Sequence, residues 1–302
     1  MDTPQPSVAG PADGTEWSPP LPEAPGFAHV VVETPGLRTH LAEIGEGEPV
    51  VLLHGFPQHW WQWRAVAPAI AAEGYRVLCP DLRGAGWTEA DAPDVGRESR
   101  LGDLLALLDA LHLDRVHVVS HDMGAITAMQ LTYDRPDRVR TAVQLSVPPG
   151  FMSFSPKVLP GFRHLPPFIW HRAGTPLEGV FSASYVARPM APDVEEAHLA
   201  PLRRPEVDGA VRRLTRGMLL PEGLRMARGV YRRRRLTVPT RFVFGLRDRY
   251  WNEEIMGLVC GDPDRYADRA DFAYVPGAAH FITDDAPEAV AGLALDWFDR
   301  AG

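Results

Sequence analysis

The sequence predicts an α/β protein, a mostly parallel sheet flanked by helices and interrupted once by a helical insertion. Three observations carry that expectation. Short apolar runs alternate with segments of helical period up to residue 145, the pattern of parallel strands joined by crossover helices. The alternation stops at Val147-Pro148-Pro149-Gly150 and gives way to a stretch rich in proline, aromatics and methionine. It resumes at Thr240-Arg241-Phe242-Val243-Phe244-Gly245 and closes with a helix over 287–298.

The elements follow in order. Residues 1–25, rich in Pro, Gly, Ala and acidic side chains, have too little apolar surface to order themselves and are expected to form a flexible tail, with Trp17 as a point of attachment. Residues 29–34 and 38–43 form two strands around the turn Pro35-Gly36. Strands over 49–53, 75–79, 115–119 and 139–145 then alternate with helices over 63–72, 100–111 and 124–133. Beyond the insertion, which includes a helix over 207–218, lie strands at 241–244 and 272–275. The expected organisation is a core over 26–148 and 237–302 with an eight-stranded sheet. A helical cap over 149–236 follows the sixth strand and covers the sheet's C-terminal edge, where open α/β sheets bind ligands.

Composition narrows the partners. A formal net charge of −8 opposes nucleic-acid or anionic-membrane binding, which needs clustered positive charge. The one basic run, residues 232–235, reads as the solvated end of a helix. Cys79 and Cys260 are the only cysteines, too few for a disulfide framework, and point to a reducing, cytoplasmic setting. Neither a signal peptide nor a spanning segment is expected; the apolar run 104–113 is broken by Asp109. No clustered ligand spacing implies a metal or organic cofactor. The chain is expected to act as a monomer or homodimer.

The decisive stretch is Val118-Val119-Ser120-His121-Asp122-Met123-Gly124-Ala125, where a strand turns into a helix. A tight elbow presenting a nucleophile needs small residues two positions to either side of it. Centring on Ser120 puts Val118 and Asp122 there; centring on Asp122 puts Ser120 and Gly124 there, which fits. The competing reading makes Asp122 an N-cap of the following helix.

Around this stretch, His54-Gly55-Phe56-Pro57 with Trp60-Trp61-Gln62-Trp63-Arg64, and Pro80-Asp81-Leu82-Arg83-Gly84-Ala85-Gly86, resemble signature segments of the epoxide hydrolases, members of the α/β-hydrolase superfamily. Ser-His-Asp-x-Gly is similar to that superfamily's elbow. The resemblance extends over roughly residues 27–300. It implies the α/β-hydrolase fold, with Asp122 as nucleophile and an oxyanion hole made by the backbone N–H groups of Phe56 and Met123. Asp248, in Gly245-Leu246-Arg247-Asp248, would be the acid, although an ion pair with Arg247 or Arg249 is the simpler reading of it. His280, in Pro276-Gly277-Ala278-Ala279-His280-Phe281, would be the base; Asp284 and Asp285 follow it too closely to be the first choice for orienting it. The order Asp122, Asp248, His280 is the one this fold uses.

A carboxylate with an ordinary pKa of about 3.9 is ionised without a base, and it suits displacement at a saturated carbon, leaving an ester on the enzyme. His280, oriented by Asp248, would then activate water. Epoxide hydrolases place two cap tyrosines against the ring oxygen. Gly229-Val230-Tyr231-Arg232 resembles the second, so Tyr231 is the expected acid. In Phe168-Ile169-Trp170-His171 the first is replaced by His171, with Tyr185 as the alternative. Phe151, Met152, Phe154, Phe162, Phe168, Trp170 and Phe181 make the insertion apolar, and Trp60, Trp63, Phe168 and Trp170 are the expected substrate contacts. The reading is hydrolysis of an apolar or aryl epoxide, with that small molecule and water as the partners. The alternatives are a dehalogenase, which Met123 beside the nucleophile disfavours, and a non-catalytic binding protein, which an intact triad disfavours.

Overall fold

The computed structural model describes residues 17–162, 165–177 and 179–302. Nine strands form one sheet: β1 (Ala28–Thr34), β2 (Leu37–Ile44), β3 (Glu48–Leu53), β4 (Tyr75–Pro80), β5 (Glu89–Ala90), β6 (Val116–His121), β7 (Val139–Leu145), β8 (Thr240–Gly245) and β9 (Ala270–Val275). Eight of them run in the order β1-β2-β4-β3-β6-β7-β8-β9, while β5 pairs with β2 off this path. The strand that the sequence reading did not include is thus a two-residue addition. β1–β2 and β2–β4 pair antiparallel, and every pairing from β4 through β3 to β9 is parallel. β6 and β8 are buried along their whole length, as strands covered on both faces must be.

The helices are α1 (Val66–Ala71), α2 (Arg97–Ala110), α3 (Asp122–Asp134), α4 (Leu165–Ile169), α5 (Pro192–Leu199), α6 (Pro205–Leu214), α7 (Leu220–Ala227), α8 (Glu253–Cys260), α9 (Ile282–Asp285) and α10 (Pro287–Ala301). Leu104 and Leu108 of α2, Met129 of α3 and Met256 of α8 join the core on one face of the sheet. Ile70 of α1 and Val290, Ala294 and Trp297 of α10 join the core on the other. In α10 the buried residues recur every three or four positions, which turns one stripe of the helix to the sheet.

Between β7 and β8 the chain leaves the sheet for α4 to α7. Here the structure departs from the sequence reading, which ran one helix over 207–218. Instead α6 ends at Leu214 and a π-helical turn, Thr215–Leu219, leads into α7. Pro221 has no N–H to give the carbonyl of Gly217, so a regular helix loses a bond there, and a widened turn accommodates the loss.

Of the expected tail, residues 1–16 lie outside the described residues. The remainder is held against the core: Trp87 Nε1 donates to Pro19 O at 2.6 Å and Trp61 Nε1 to Glu23 O at 2.9 Å. Trp17 packs edge-on against His40. Among the described residues, no helix is long and apolar enough to cross a membrane.

Candidate active site

β6 delivers the chain to the centre of the sheet's C-terminal edge, where it turns into α3. The turn falls on Asp122, whose φ of +47° lies in the left-handed region, a costly conformation that L-residues adopt where surrounding structure enforces it. Gly124 explains how the turn fits: a Cβ there would stand 2.3 Å from Leu53 O and 2.5 Å from His54 O. Ser120 is fully buried and its Oγ donates to Val143 O at 3.3 Å, so it faces the neighbouring strand. The Asp122 carboxylate instead accepts a 2.9 Å hydrogen bond from the Phe56 N–H, across the loop after β3. Met123 follows in the first turn of α3, where backbone N–H groups have no acceptor within the helix.

β8 and β9 bring in the other two members. Gly245 lets the loops after them meet, since a Cβ there would lie 2.4 Å from Ala278 O. His280 Nδ1 stands 3.2 Å from Asp248 Oδ2 and its Nε2 stands 3.5 Å from Asp122 Oδ2. The ring therefore lies between two carboxylates. Its backbone is pinned as well: His280 O accepts from His121 Nε2 and from Ser146 Oγ, each at 2.8 Å. Asp248 is almost completely buried, and its Oδ1 accepts the N–H groups of Tyr250 at 2.8 Å and Trp251 at 3.2 Å.

The electrostatics follow from this packing. Burial disfavours the charged imidazolium of His280, but hydrogen bonds and attraction from Asp122 and Asp248 outweigh it and raise its pKa to about 10. Burial likewise works against the Asp122 carboxylate. The hydrogen bond and charge of His280, the charge of His121 and the Phe56 N–H prevail and hold it well below the ordinary range. His121 and His54, by contrast, are pushed down to about 4, mainly by burial. His54 stays neutral and ties the loop after β3 to Leu82, whose N–H it accepts at 2.9 Å.

Asp122 and His280 open onto two adjoining apolar spaces. The smaller, about 60 Å³, is lined by Phe56, Met123, Phe168 and residues of α6 and the π turn. The larger, about 340 Å³, extends beneath α7 and is lined by Met152, Phe154, Phe162, Leu220, Leu224 and Trp251. Among the described residues, no cluster of three or more potential metal ligands occurs.

The structure brings together Asp122, Asp248, His280, Phe56, Met123 and Phe168. Five other candidates lie elsewhere. Tyr231 is fully buried, its ring lies 4.7 Å from that of Tyr133 at a tilt of 53°, and its hydroxyl donates a hydrogen bond to Glu222. It belongs to the core cluster that also holds Tyr133, Phe151 and Phe242, and its hydroxyl is taken up by Glu222 there. His171 is buried too and pairs through Nε2 with Asp208, whose other oxygen accepts the Gly174 N–H; it stabilises the loop before α5. Trp60 and Trp63 have no exposed surface and pack in the core on the α1 and α10 face. Trp170 is 64% exposed and lines neither space. In their place, Tyr185 lines both spaces and Tyr250 the larger one. Tyr250 escaped the sequence reading; the available signal was the aromatic pair Tyr250-Trp251, just past Asp248.

A carboxylate on a strained strand-to-helix elbow, with a backbone N–H against it and an Asp–His pair beside it, is an arrangement that the α/β-hydrolase fold accommodates at the end of a central strand. The chain is similar to the α/β-hydrolase fold family, whose model, described as alpha/beta hydrolase fold, matches residues 48–186. It is also similar to two epoxide hydrolases of Siraitia grosvenorii. Epoxide hydrolase 3 is 40% identical over 139 residues, 45% of this chain and 43% of that one. Epoxide hydrolase 2 is 42% identical over 141 residues, 45% and 44% of the two chains. The aligned stretch thus spans less than half the length of these relatives. The solved structure of epoxide hydrolase VrEH1 from Vigna radiata superposes with a TM-score of 0.71, at 28% identity over 91% of this chain and 98% of that one.

Proposed function

We propose that the protein is an epoxide hydrolase that converts an apolar or aryl epoxide to a vicinal diol through an ester on Asp122. The observation that carries this reading is the ionised Asp122 carboxylate, aimed into an apolar cavity beside His280 and across from a phenol, Tyr185. The epoxide hydrolases to which the chain is similar lend the substrate class.

In the first step Asp122 attacks a ring carbon. A carbon–oxygen bond to Asp122 forms, the ring carbon–oxygen bond breaks, and its electron pair passes to the ring oxygen. Tyr185 protonates that oxygen. Burial, a hydrogen bond with Tyr250 and the charges of Asp122 and Asp248 all raise the Tyr185 pKa, so the proton is present at any working pH. The ester carries no charge, so His280 loses one of the two carboxylates that keep it protonated. It sheds its proton, which replaces the one Tyr185 gave up. Neutral imidazole, still oriented by Asp248, then takes a proton from water as the water oxygen attacks Asp122 Cγ. The N–H groups of Phe56 and Met123 would hold the resulting oxyanion. Collapse expels the diol, restores the Asp122 carboxylate and leaves His280 protonated, as at the start. The two buried, unpaired cysteines, Cys79 and Cys260, support a cytoplasmic setting.

One turnover in heavy-oxygen water tests the ester. Water attacks Asp122 rather than the epoxide, so the label should appear in the peptide containing Asp122. Label found only in the diol after single turnover refutes the ester route.

A further inference from the structure

Within the epoxide hydrolase reading, the loop that carries the Phe56 N–H continues into a buried polar seat away from the cavity. Gln58 is fully buried, and each of its two amide protons has an acceptor. One goes to Asp284 Oδ2 at 2.7 Å, four residues after His280, and the other to His198 Nε2 at 3.2 Å, on α5 of the insertion. An amide nitrogen only donates, so His198 Nε2 is the accepting nitrogen of a neutral ring. Arg64 Nη2 donates to the other oxygen of Asp284 at 2.8 Å and balances its charge. His59, the next residue, holds α5 as well. Burial pushes its pKa down to about 3, and the neutral ring donates from Nε2 to Ala197 O at 3.0 Å. We propose that Gln58 is a positioning residue for ester hydrolysis, which fixes the Phe56 N–H and His280 at their working separation across Asp122 and seats the insertion on both.

The need arises once the ester has formed. In the free enzyme the charges of Asp122 and His280, 3.5 Å apart, draw their two loops together, and the Phe56 N–H grips the same carboxylate at 2.9 Å. Esterification removes the carboxylate charge, so that attraction disappears just before both groups are needed at once. His280 must then reach the water and Phe56 the developing oxyanion, on either side of Asp122 Cγ. The hydrogen bond from Gln58 to Asp284 still joins their segments. Gln58 lies two residues after Phe56, and α9, which holds Asp284, begins two residues after His280. The bond is charge-assisted and shielded from water, and it does not depend on the state of Asp122. Ring opening makes no such demand, because the Asp122 carboxylate attacks while its pairing with His280 is intact. His198 takes the second amide proton, so the seating of α5 bears on the same side chain.

Single-turnover kinetics with a panel of apolar epoxides separate ring opening from ester hydrolysis, with the ester on Asp122 followed by intact-protein mass. Small displacements of catalytic groups cost up to about 10²-fold, so Gln58→Leu should slow ester hydrolysis about 10-fold or more and leave ester formation within about 3-fold. His198→Leu should slow the same step, and His198→Gln, which returns an acceptor to Gln58, should restore most of the rate. Should the Leu variant not fold, Gln58→Asn, whose amide is one methylene short of Asp284, should show the same split between the two steps. Ester hydrolysis at the parental rate in folded Gln58→Leu or Gln58→Asn protein overturns the assignment. Equal slowing of both steps also overturns it, because a general loosening of the fold would do that. Absence of any ester in a His280→Gln protein overturns the epoxide reading itself, which separates the two failures.

Discussion

The sheet edge and the inserted helices face each other across one cavity, yet they hold their functional groups in different ways. At the edge, Asp122, His280 and Asp248 sit on short loops directly after β6, β9 and β8, and the two carboxylates that flank His280 are themselves fixed by backbone N–H groups, of Phe56 for Asp122 and of Tyr250 and Trp251 for Asp248. In the insertion, the polar side chains are spent on one another. Tyr231 bonds Glu222, which also accepts from Gln130 at 3.1 Å, and His171 bonds Asp208. The lesson is that a group on a strand end inherits its direction from the sheet, whereas a group on a packed helix takes whatever partner the packing offers.

The sharpest way to break that contrast is Asp122→Ala. Loss of the proposed nucleophile should remove ester formation and lower turnover of any epoxide by about 10⁴-fold or more, since residues that act as a unit fail together. Steady-state diol production at the wild-type level in this variant would reduce the edge to a binding surface.

A smaller effect separates the two regions by pH. His280 is raised to about 10 in the folded chain, against roughly 6.5 for an unperturbed histidine. Its protonated form therefore adds stability that is fully present below about pH 6.5 and is lost as pH rises toward 10. The depressed Asp122 carboxyl acts the other way, adding stability above the ordinary carboxylate range that disappears on acidification. Urea unfolding between pH 7 and 10 should show a decline of a few kcal/mol, and Asp122→Asn should flatten it. Identical slopes in both proteins would mean that Asp122 and His280 are not coupled.

The smallest expected change is in Tyr231→Phe. Losing its hydroxyl leaves the nearly inaccessible Glu222 short of a donor, at a cost of about 1–3 kcal/mol in unfolding free energy. The rate of ester formation should stay within about 3-fold of the parent, which is well under the loss expected of a general acid. A 100-fold loss of that rate at unchanged stability would return Tyr231 to the site.

Much of the edge was legible because its requirements are local. Asp122 rather than Ser120 follows from which residue has small neighbours at two positions on each side, and the 2.3 Å approach to Leu53 O at Gly124 is the physical form of that rule. The parallel sheet was legible in the same way, from apolar runs buried on both faces. The insertion offered no such constraint. The loop after β3 was equally open: whether Trp60 meets a ligand or Phe27 and His29, as it does here, depends on which face of a turn points inward.

The sequence by itself determined the α/β class, the elbow at Asp122 and the order of its partners, because period, turn chemistry and spacing are properties of neighbouring residues. The tertiary structure decided that His280 is clamped between two carboxylates, that Tyr231 and His171 are spent on Glu222 and Asp208, and that Tyr185 and Tyr250 share the cavity with Asp122. Those pairings join residues as distant in the chain as Asp122 and His280, and only packing brings such groups within the few ångströms over which hydrogen bonds and charges act.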